Sequence, residues 1–294
     1  MESDTHIDKV PSKKKQRFRP LQFLTRGSGL MILVIIFLGP YIWMVSSAFK
    51  PRAEIFSDLD PVSWRTFIPV NPTLLNIQTL LVEFEFWRPI LNSLAIATVT
   101  VLIALTINSM IAYALSRMKF AGRDILFIIV LSTLLIPFEA IMVPMFLVVQ
   151  NMGLDDTYFG IFLPWVADAF IIFLLRQHFL ELPDDLQDAA IIDGCTPFQI
   201  YWKIMLPNIR PALVSAGFIK FIYSWDAYIW PLIVTRDPDK SVVAIAIARF
   251  FTDQDILWEY VFAGSFLATI PVVLLFLFLQ RYYIEGVATT GIRG

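Results

Sequence analysis

Four ionisable side chains interrupt segments of this 294-residue chain that are otherwise strongly apolar: Glu139, Asp168, Lys220 and Asp226. A charged group is costly in hydrocarbon, so such residues commonly face a cavity, a polar solute or an oppositely charged partner. Asp168 could contact solute hydroxyls or a cationic group. Lys220 could instead extend its flexible stem so that the ammonium group reaches the membrane surface. Pairing with another subunit stays an open alternative for all four.

Aromatic side chains surround one of these acids, because Asp226 lies beside Trp225 and close to Tyr228 and Trp230. Aromatic faces with a few polar groups suit a sugar, and such a surface could form part of a solute pathway. Tyr and Trp also form belts at membrane interfaces, which is a competing explanation. The candidate pathway residues are Glu139, Asp168, Trp225, Asp226 and Tyr228.

The residue counts give little support to a disulfide, a metal site or a catalytic site. The single cysteine, Cys195, excludes a disulfide within one chain, and two histidines provide no HExxH or multi-histidine metal site. An intramembrane enzyme would need a metal, a Ser/His pair or paired aspartates, and only His178 lies near an apolar segment. No GxxxxGKS/T loop is present, so the sequence offers no P-loop for binding nucleotide phosphates. We expect no catalytic residue, metal or cofactor in this chain.

The elements that position these residues are membrane-spanning helices. Hydrophobic residues make up 57% of the chain and charged residues only 16%, well below the quarter that is usual in soluble domains. About 20 apolar residues in a helix cross the hydrocarbon core. The predicted fold is therefore an all-α integral membrane protein with six transmembrane helices: Leu30–Ala48, Pro89–Leu115, Ile125–Val149, Phe159–Leu175, Ala212–Val234 and Tyr260–Gln280.

Lysine and arginine indicate the orientation of these helices, since they are more frequent on the cytoplasmic side. An even number of spans places both termini on one side. With both termini in the cytoplasm, fifteen lysines and arginines lie inside and seven lie outside. The run Lys13-Lys14-Lys15 then contacts lipid headgroups rather than nucleic acid.

A polar segment between the fourth and fifth predicted spans, Asp188–Pro211, contains clear helix start and stop signals. Pro183 is suited to the first turn of a helix, and Asp184 and Asp185 place negative charge at the positive end of its dipole. Gly194 is suited to the left-handed conformation that ends a helix. Ala189 and Ala190 on this helix are small enough to allow close approach of another surface.

A second short helix follows this turn. Thr196 and Gln199 have the spacing of a capping box, with Pro197 in the first turn. The helix is predicted to stop at Leu206-Pro207. An interfacial hairpin lying on lipid is an alternative, but such helices usually carry a basic polar face, whereas the first helix is acidic.

These residues resemble a family motif. Asp188-Ala189-Ala190, then Asp193-Gly194, and then Ile204, Leu206-Pro207 and Pro211 resemble the EAA loop of ABC importer permeases, with Asp188 in place of the usual Glu. Shorter segments resemble the carbohydrate-uptake subfamily, and specifically its second, maltose-G-like permease. They are Ser46–Lys50, Asn92-Ser93, Ala112–Arg117, Phe120–Arg123, Ile136-Pro137 with Pro144, Gly153–Thr157, Trp225-Asp226, Trp230–Leu232 and Thr290–Gly294.

The resemblance implies a permease subunit of an ATP-driven, binding-protein-dependent importer for a sugar or sugar-like solute. Its expected partners are a second permease, two ATPase subunits that hold ATP and Mg²⁺, and an extracytoplasmic solute-binding protein. The loop would carry a coupling helix that docks on the ATPase and turns its closure into movement of the spans. The residues implied in this coupling are Asp188, Ala189, Ala190, Asp193, Gly194, Ile204, Leu206 and Pro207.

The expected organisation is a basic cytoplasmic tail over residues 1–29, a permease domain over 30–282 that contains the coupling loop at 181–211, and a short tail over 283–294. The expected location is a bacterial or archaeal cytoplasmic membrane. An importer for a phosphodiester, polyamine or peptide stays an alternative, because the loop motif is shared across importers. A self-contained carrier would predict internal repeats, and none is evident.

Overall fold

The computed structural model describes residues 20–57, 59–252 and 255–290, with side chains from residue 31 to residue 281 within those ranges. Regular structure in this part of the chain is helical, apart from two isolated β-bridges. Short 3₁₀ or π turns join several of the helices. The α-helices are α1 Pro20–Ala48, α2 Trp64–Phe67, α3 Leu75–Val82, α4 Trp87–Arg117, α5 Arg123–Ser132, α6 Phe138–Asn151, α7 Tyr158–Phe162, α8 Ala169–Glu181, α9 Asp185–Ile192, α10 Pro197–Ile200, α11 Leu206–Asn208, α12 Arg210–Trp225, α13 Ile229–Val234, α14 Val243–Ala248 and α15 Trp258–Thr290.

Helix α4 lies at the centre of the bundle and packs against α8 and α12, while α15 packs against α12 and α1. Close approach of α12 to α4 depends on Gly217, since a Cβ there would lie 3.1 Å from Leu105 Cδ1. Buried side chains form three apolar clusters, one of which joins the ends of α4 and α8 to the loop that precedes α12.

The described residues contain three candidate membrane spans, or up to five if each of two bent helix pairs is counted as one span. Among the described residues, three helices are long and apolar enough to cross a membrane by themselves: Met31–Ala48, Trp87–Arg117 and Trp258–Arg281. The third predicted span is bent by 103° between Arg123–Leu135 and Phe138–Asn151. The fourth is bent by 45° between Tyr158–Trp165 and Ala169–Glu181.

Local chemistry explains where the predicted spans break. Ile136 precedes Pro137 and adopts an extended conformation, as the proline ring requires, so the third span bends there. In the fourth span, Asp168 caps a new helix. The fifth is divided between α12 and α13 at residues 226–228.

Helical structure extends into both predicted tails. Helix α1 already begins at Pro20, inside the predicted tail of residues 1–29, and α15 continues to Thr290. Residues 1–19 and 291–294 of those tails lie outside the described residues.

A turn at residues 152–157 is hydrogen-bonded to the segment that follows α13. Asp156 N donates to Val234 O at 2.8 Å, and Asp156 Oδ1 accepts from the backbone N–H groups of Asp237 and Arg236, each at 3.1 Å. These two backbone donors, together with Lys240, hold the pKa of the Asp156 carboxyl below its ordinary value. These hydrogen bonds connect the turn that follows α6 to the segment that follows α13.

Lys50, at the end of α1, organises the loop between α1 and α4. Its buried ammonium group donates to Arg65 O at 2.8 Å and to Thr66 O at 2.9 Å. Asn76 Nδ2 then donates to Ala48 O at 3.1 Å and to Lys50 O at 2.8 Å. These bonds give a structural reason for a lysine at this position.

Lys50→Met should destabilise the purified chain, because the backbone carbonyls of Arg65 and Thr66 would lose a charged donor, each bond contributing about 1.5–3 kcal/mol. Thermal unfolding in detergent should show a lowered midpoint. Arg65→Met is the matched control, since Arg65 is exposed and lies over the Trp64 ring. Equal midpoints for Lys50→Met and the wild type would contradict this role.

Candidate functional site

The connecting loop, residues 181–211, contains a rigid turn between two helices. Helix α9 ends at Ile192, and Gly194 adopts the left-handed conformation with φ +78°. Gly194 N donates to Ile191 O and Cys195 N donates to Ala190 O, each at 3.0 Å. This pair of bonds is a Schellman motif, which satisfies the carbonyl groups at the end of the helix.

The second helix begins with the capping box expected from the sequence. Thr196 N donates to Gln199 Oε1 at 2.8 Å, and Gln199 N donates to Thr196 Oγ1 at 3.3 Å. The predicted stop at Leu206-Pro207 is wrong, because the chain stays helical through a π turn at Tyr201–Met205 and through α11 to Asn208. The wider π turn precedes Pro207, where a regular turn would bring the ring against a carbonyl.

The eight candidate coupling residues face in different directions. Asp188, Ala189, Asp193 and Gly194 are exposed, whereas Ile204, Leu206 and Pro207 are partly buried against the bundle. Ala190 is only 3% exposed and packs against this chain's own apolar cluster. The expectation that Ala190 admits another surface is therefore wrong in this structure, because its side chain is buried within the chain's own apolar cluster.

Large apolar side chains are exposed on both sides of the Gly194 turn. Ile192 is 85% exposed, and the group that we call the docking patch comprises Ile191, Ile192, Phe198 and Trp202. Phe198 and Trp202 are four residues apart, and both rings contact Tyr201. Exposed apolar groups outside the predicted spans make this loop a candidate surface for binding another molecule.

Arg117 anchors the start of α9 to the bundle, a role that its position in the sequence did not reveal. Its buried guanidinium group donates through Nε to Phe179 O at 2.9 Å and through Nη2 to Leu182 O. Its Nη1 forms an ion pair with Asp184, the N-cap residue of α9. The only available signal was an arginine directly after a long apolar helix.

Tyr201 fastens the second helix to α4. Its hydroxyl forms a 2.8 Å hydrogen bond with Ser109 Oγ, and its ring lies 5.4 Å from that of Tyr113. Burial raises the pKa of the Tyr201 phenol, although the Ser109 hydrogen bond opposes this effect. Arg117 and Tyr201 together connect both helices of the connecting loop to the bundle.

The structure pairs two of the ionisable residues that interrupt the apolar segments. Lys220 Nζ lies 2.6 Å from Asp168 Oδ2, and the two side chains are 5% and 21% exposed. Asp168 Oδ1 also accepts from Phe170 N and Ile171 N, so it caps α8. Lys220 therefore does not extend to a membrane surface, and both oxygens of the Asp168 carboxylate have partners within the chain.

The ion pair lies in the wall of a cavity of about 630 Å³, which we call the central cavity. Asp226 and Tyr228 line the same cavity, and Trp165, Trp230 and Phe138 provide aromatic walls. Trp230 is fixed because its indole N–H donates to Gly160 O at 3.1 Å. Three of the five candidate pathway residues, Asp168, Asp226 and Tyr228, are thus brought together.

The other two candidates do not line the central cavity. Trp225 is buried in another cluster and stacks on Phe221, with ring centroids 5.7 Å apart. Glu139 is exposed in the first turn of α6.

Comparison with known proteins gives a consistent result. Residues 104–288 match the family described as "Binding-protein-dependent transport system inner membrane component". The arabinooligosaccharides transport system permease protein AraQ of Halalkalibacterium halodurans is 35% identical over 95% of this chain and 100% of its own length. The sn-glycerol-3-phosphate transport system permease protein UgpE of Agrobacterium fabrum is 36% identical over 69% of this chain and 73% of its own.

A solved structure has the same fold. A chain from a bacterial ABC transporter involved in the import of the acidic polysaccharide alginate has a TM-score of 0.80 and 24% sequence identity. The match covers 92% of this chain and 100% of that one.

Proposed function

Because the chain belongs to the family of binding-protein-dependent transport system inner membrane components, we propose that it forms half of the pathway of an ATP-driven importer and transmits ATPase closure through its connecting loop. The protein is a transport subunit for sugar import and not an enzyme, as the names of its relatives indicate. In this role residues 181–211 transmit the movement and the central cavity contacts the solute.

The rigid seating of the connecting loop is the observation that carries the coupling role. A loop that transmits force must resist bending on its own side and offer a surface on the other. Ala190 and Tyr201 fasten its two helices to the bundle, while Ile192, Asp188 and Ala189 are exposed. Pushing on the exposed side would therefore move α4 and α8.

The second helix carries the movement onward to the fifth predicted span. Ile204 and Leu206 pack against the bundle, and Pro207 lies shortly before α12 begins at Arg210. Residues 197–208 stay helical through the π turn, so this segment is a short lever rather than a flexible linker. The exposed carboxylates of Asp188 and Asp193 can pair with arginines of an ATPase.

The remaining partners follow from the family. We propose a second permease that supplies the other half of the pathway, two ATPase subunits that hold ATP and Mg²⁺, and an extracytoplasmic binding protein. The connecting loop and both termini then lie in the cytoplasm of a bacterium or archaeon. In this arrangement α12 and α13 together form the fifth of six spans, and the two bent helix pairs form the third and fourth.

Two rival functions stay testable. The sugar permease relatives favour a saccharide over a polyamine or peptide as the solute, whereas a phosphodiester stays open beside the sn-glycerol-3-phosphate permease relatives. A self-contained carrier would leave the docking patch unexplained. A lipid surface could cover that patch, but the exposed acids Asp185, Asp188 and Asp193 on the same loop disfavour an anionic membrane.

Ile192→Asp should reduce recovery of the ATPase with the tagged chain by at least about tenfold, because it places a charge at the centre of an apolar contact. The chain should still insert, since Ile192 is 85% exposed and makes little contact within it. Val62→Asp is the matched control, because Val62 is 67% exposed in the loop between α1 and α4. Unchanged ATPase recovery with Ile192→Asp would remove the docking patch from the proposal.

The solute class is tested by ATP-driven uptake into vesicles that contain the reconstituted complex. A suitable panel has neutral saccharides, namely arabinotriose, lactose and maltotriose, and anionic solutes, namely digalacturonate and sn-glycerol 3-phosphate. Uptake of a panel member that requires both ATP and the binding protein supports the importer. Uptake that persists without ATP would favour a self-contained carrier.

A further inference from the structure

Lys220 has unused hydrogen-bonding capacity inside the central cavity. A lysine ammonium group has three N–H donors. One is directed at Asp168 Oδ2 at 2.6 Å, and no second acceptor is found for Lys220 within the described ranges. The side chain is 95% buried from solvent and lines the central cavity. A buried charged group with free donors is costly unless a ligand or water accepts from it.

Asp168 is held so that it cannot turn away from Lys220. Its Oδ1 caps α8, and its backbone N–H donates to Asn108 Oδ1 at 3.1 Å. Asn108 is itself fully buried and donates to Val166 O at 3.0 Å. The Lys220 ammonium group is therefore fixed in position by α4 and α8, and its remaining donors are presented at a constant place.

Asp226 supplies an acceptor in the same cavity. Its carboxylate has no hydrogen bond or ion pair with any residue that the structure describes. Tyr223 and Tyr228 add phenol groups, and Trp165 and Trp230 add flat apolar faces. Spare donors, a spare acceptor and aromatic faces together match the hydroxyls and the apolar faces of a sugar ring.

The charge of the central cavity favours the binding of neutral solutes over anionic ones. Lys220 and Asp168 cancel each other, and Asp226 adds either no charge or one negative charge. No other aspartate, glutamate, lysine or arginine lines the central cavity within the described ranges. An anion would therefore meet no unpaired cation there. Arg236 and Arg249 line a separate, smaller cavity of about 320 Å³.

We propose that the central cavity is a binding site for a neutral saccharide, in which Lys220 donates to and Asp226 accepts from sugar hydroxyls, and that it rejects anionic solutes. This inference rests on the proposed role of the chain as half of a sugar pathway. Its volume of about 630 Å³ is within the usual range of small-molecule sites. Asp168 is a positioning residue that holds Lys220 in place.

The test is equilibrium binding to the purified complex in lipid nanodiscs, without the binding protein, whose own selectivity would otherwise decide the result. The probes are the radiolabelled neutral and anionic members of the uptake panel, with lactose and digalacturonate as a pair of similar size. At least one neutral saccharide should bind tenfold or more tightly than either anion. Asp168→Asn leaves Lys220 unpaired and should shift the preference towards digalacturonate.

The double variant Asp168→Asn/Lys220→Met removes both charges without leaving either one unpaired, and should weaken neutral-saccharide binding at least tenfold. Glu83→Gln, at an exposed position outside the central cavity, is the control and should leave binding unchanged. Binding of digalacturonate as tightly as lactose, unaltered binding by the double variant, or no binding of any neutral saccharide would each overturn the proposal. Recovery of the ATPase with the complex tests the proposed function independently, so the two failures are distinguishable.

Discussion

Replacement of Gly194 by valine should abolish most ATP-driven uptake while the chain still inserts into the membrane. Gly194 has φ +78°, and a β-branched residue is strongly disfavoured there. A left-handed residue other than glycine costs roughly 1–2 kcal/mol, which corresponds to a factor of about 5–30 in the ratio of the native to the altered turn. Uptake in vesicles should fall by up to about that factor at equal permease abundance.

Gly194→Asn is the matched control for this experiment, because asparagine tolerates the left-handed conformation better than most residues. No atom lies within 4 Å of a Cβ built at Gly194, so strain in the backbone, rather than crowding, distinguishes the two variants. The asparagine variant should retain most uptake. Equal uptake by the valine variant and the wild type would contradict a coupling role for the turn.

Arg117→Met should detach the connecting loop from the bundle. The guanidinium group donates to the carbonyls of Phe179 and Leu182, and a hydrogen bond to a charged group contributes about 1.5–3 kcal/mol. The ion pair with Asp184 adds less, since that carboxylate is 87% exposed. Thermal unfolding of the detergent-solubilised complex should show a lowered midpoint, and ATPase recovery should fall.

Arg123→Met is the control for Arg117, since the ion pair of Arg123 among the described residues is with the adjacent and exposed Asp124. Arg117→Lys should recover part of the stability, because lysine keeps the charge but lacks the planar, forked donors that reach two carbonyls. An unchanged midpoint and full ATPase recovery in Arg117→Met would show that α9 is held by its apolar contacts alone.

Local features of the connecting loop were predictable because neighbouring residues determine them. The left-handed Gly194 and the capping box of Thr196 and Gln199 depend on backbone conformation and on side chains within three residues. The positions of the apolar segments were equally predictable, since composition alone identifies them. The continuation of the second helix past Pro207 was missed, because a π turn relieves the clash that a regular helix would suffer.

Long-range contacts explain the features that the sequence did not predict. The pairing of Lys220 with Asp168 joins residues 52 apart, and Arg117 meets Leu182 over 65 residues. The burial of Ala190 depends on a cluster that also includes residues of α4 and α8, which are distant in the sequence. Hydropathy likewise locates an apolar segment without showing that Pro137 bends it by 103°.

Site-directed cross-linking at Ile192 tests most directly whether the connecting loop contacts the ATPase. Cys195 is the only native cysteine, so Cys195→Ser gives a cysteine-free background for Ile192→Cys and, as a control, Val62→Cys. Each variant would carry a photoreactive maleimide in native membranes, and mass spectrometry would identify the captured proteins. An adduct that contains an ATPase from Ile192 but not from Val62 is the predicted result. Lipid adducts alone at Ile192, or ATPase capture from Val62 instead, would contradict the account.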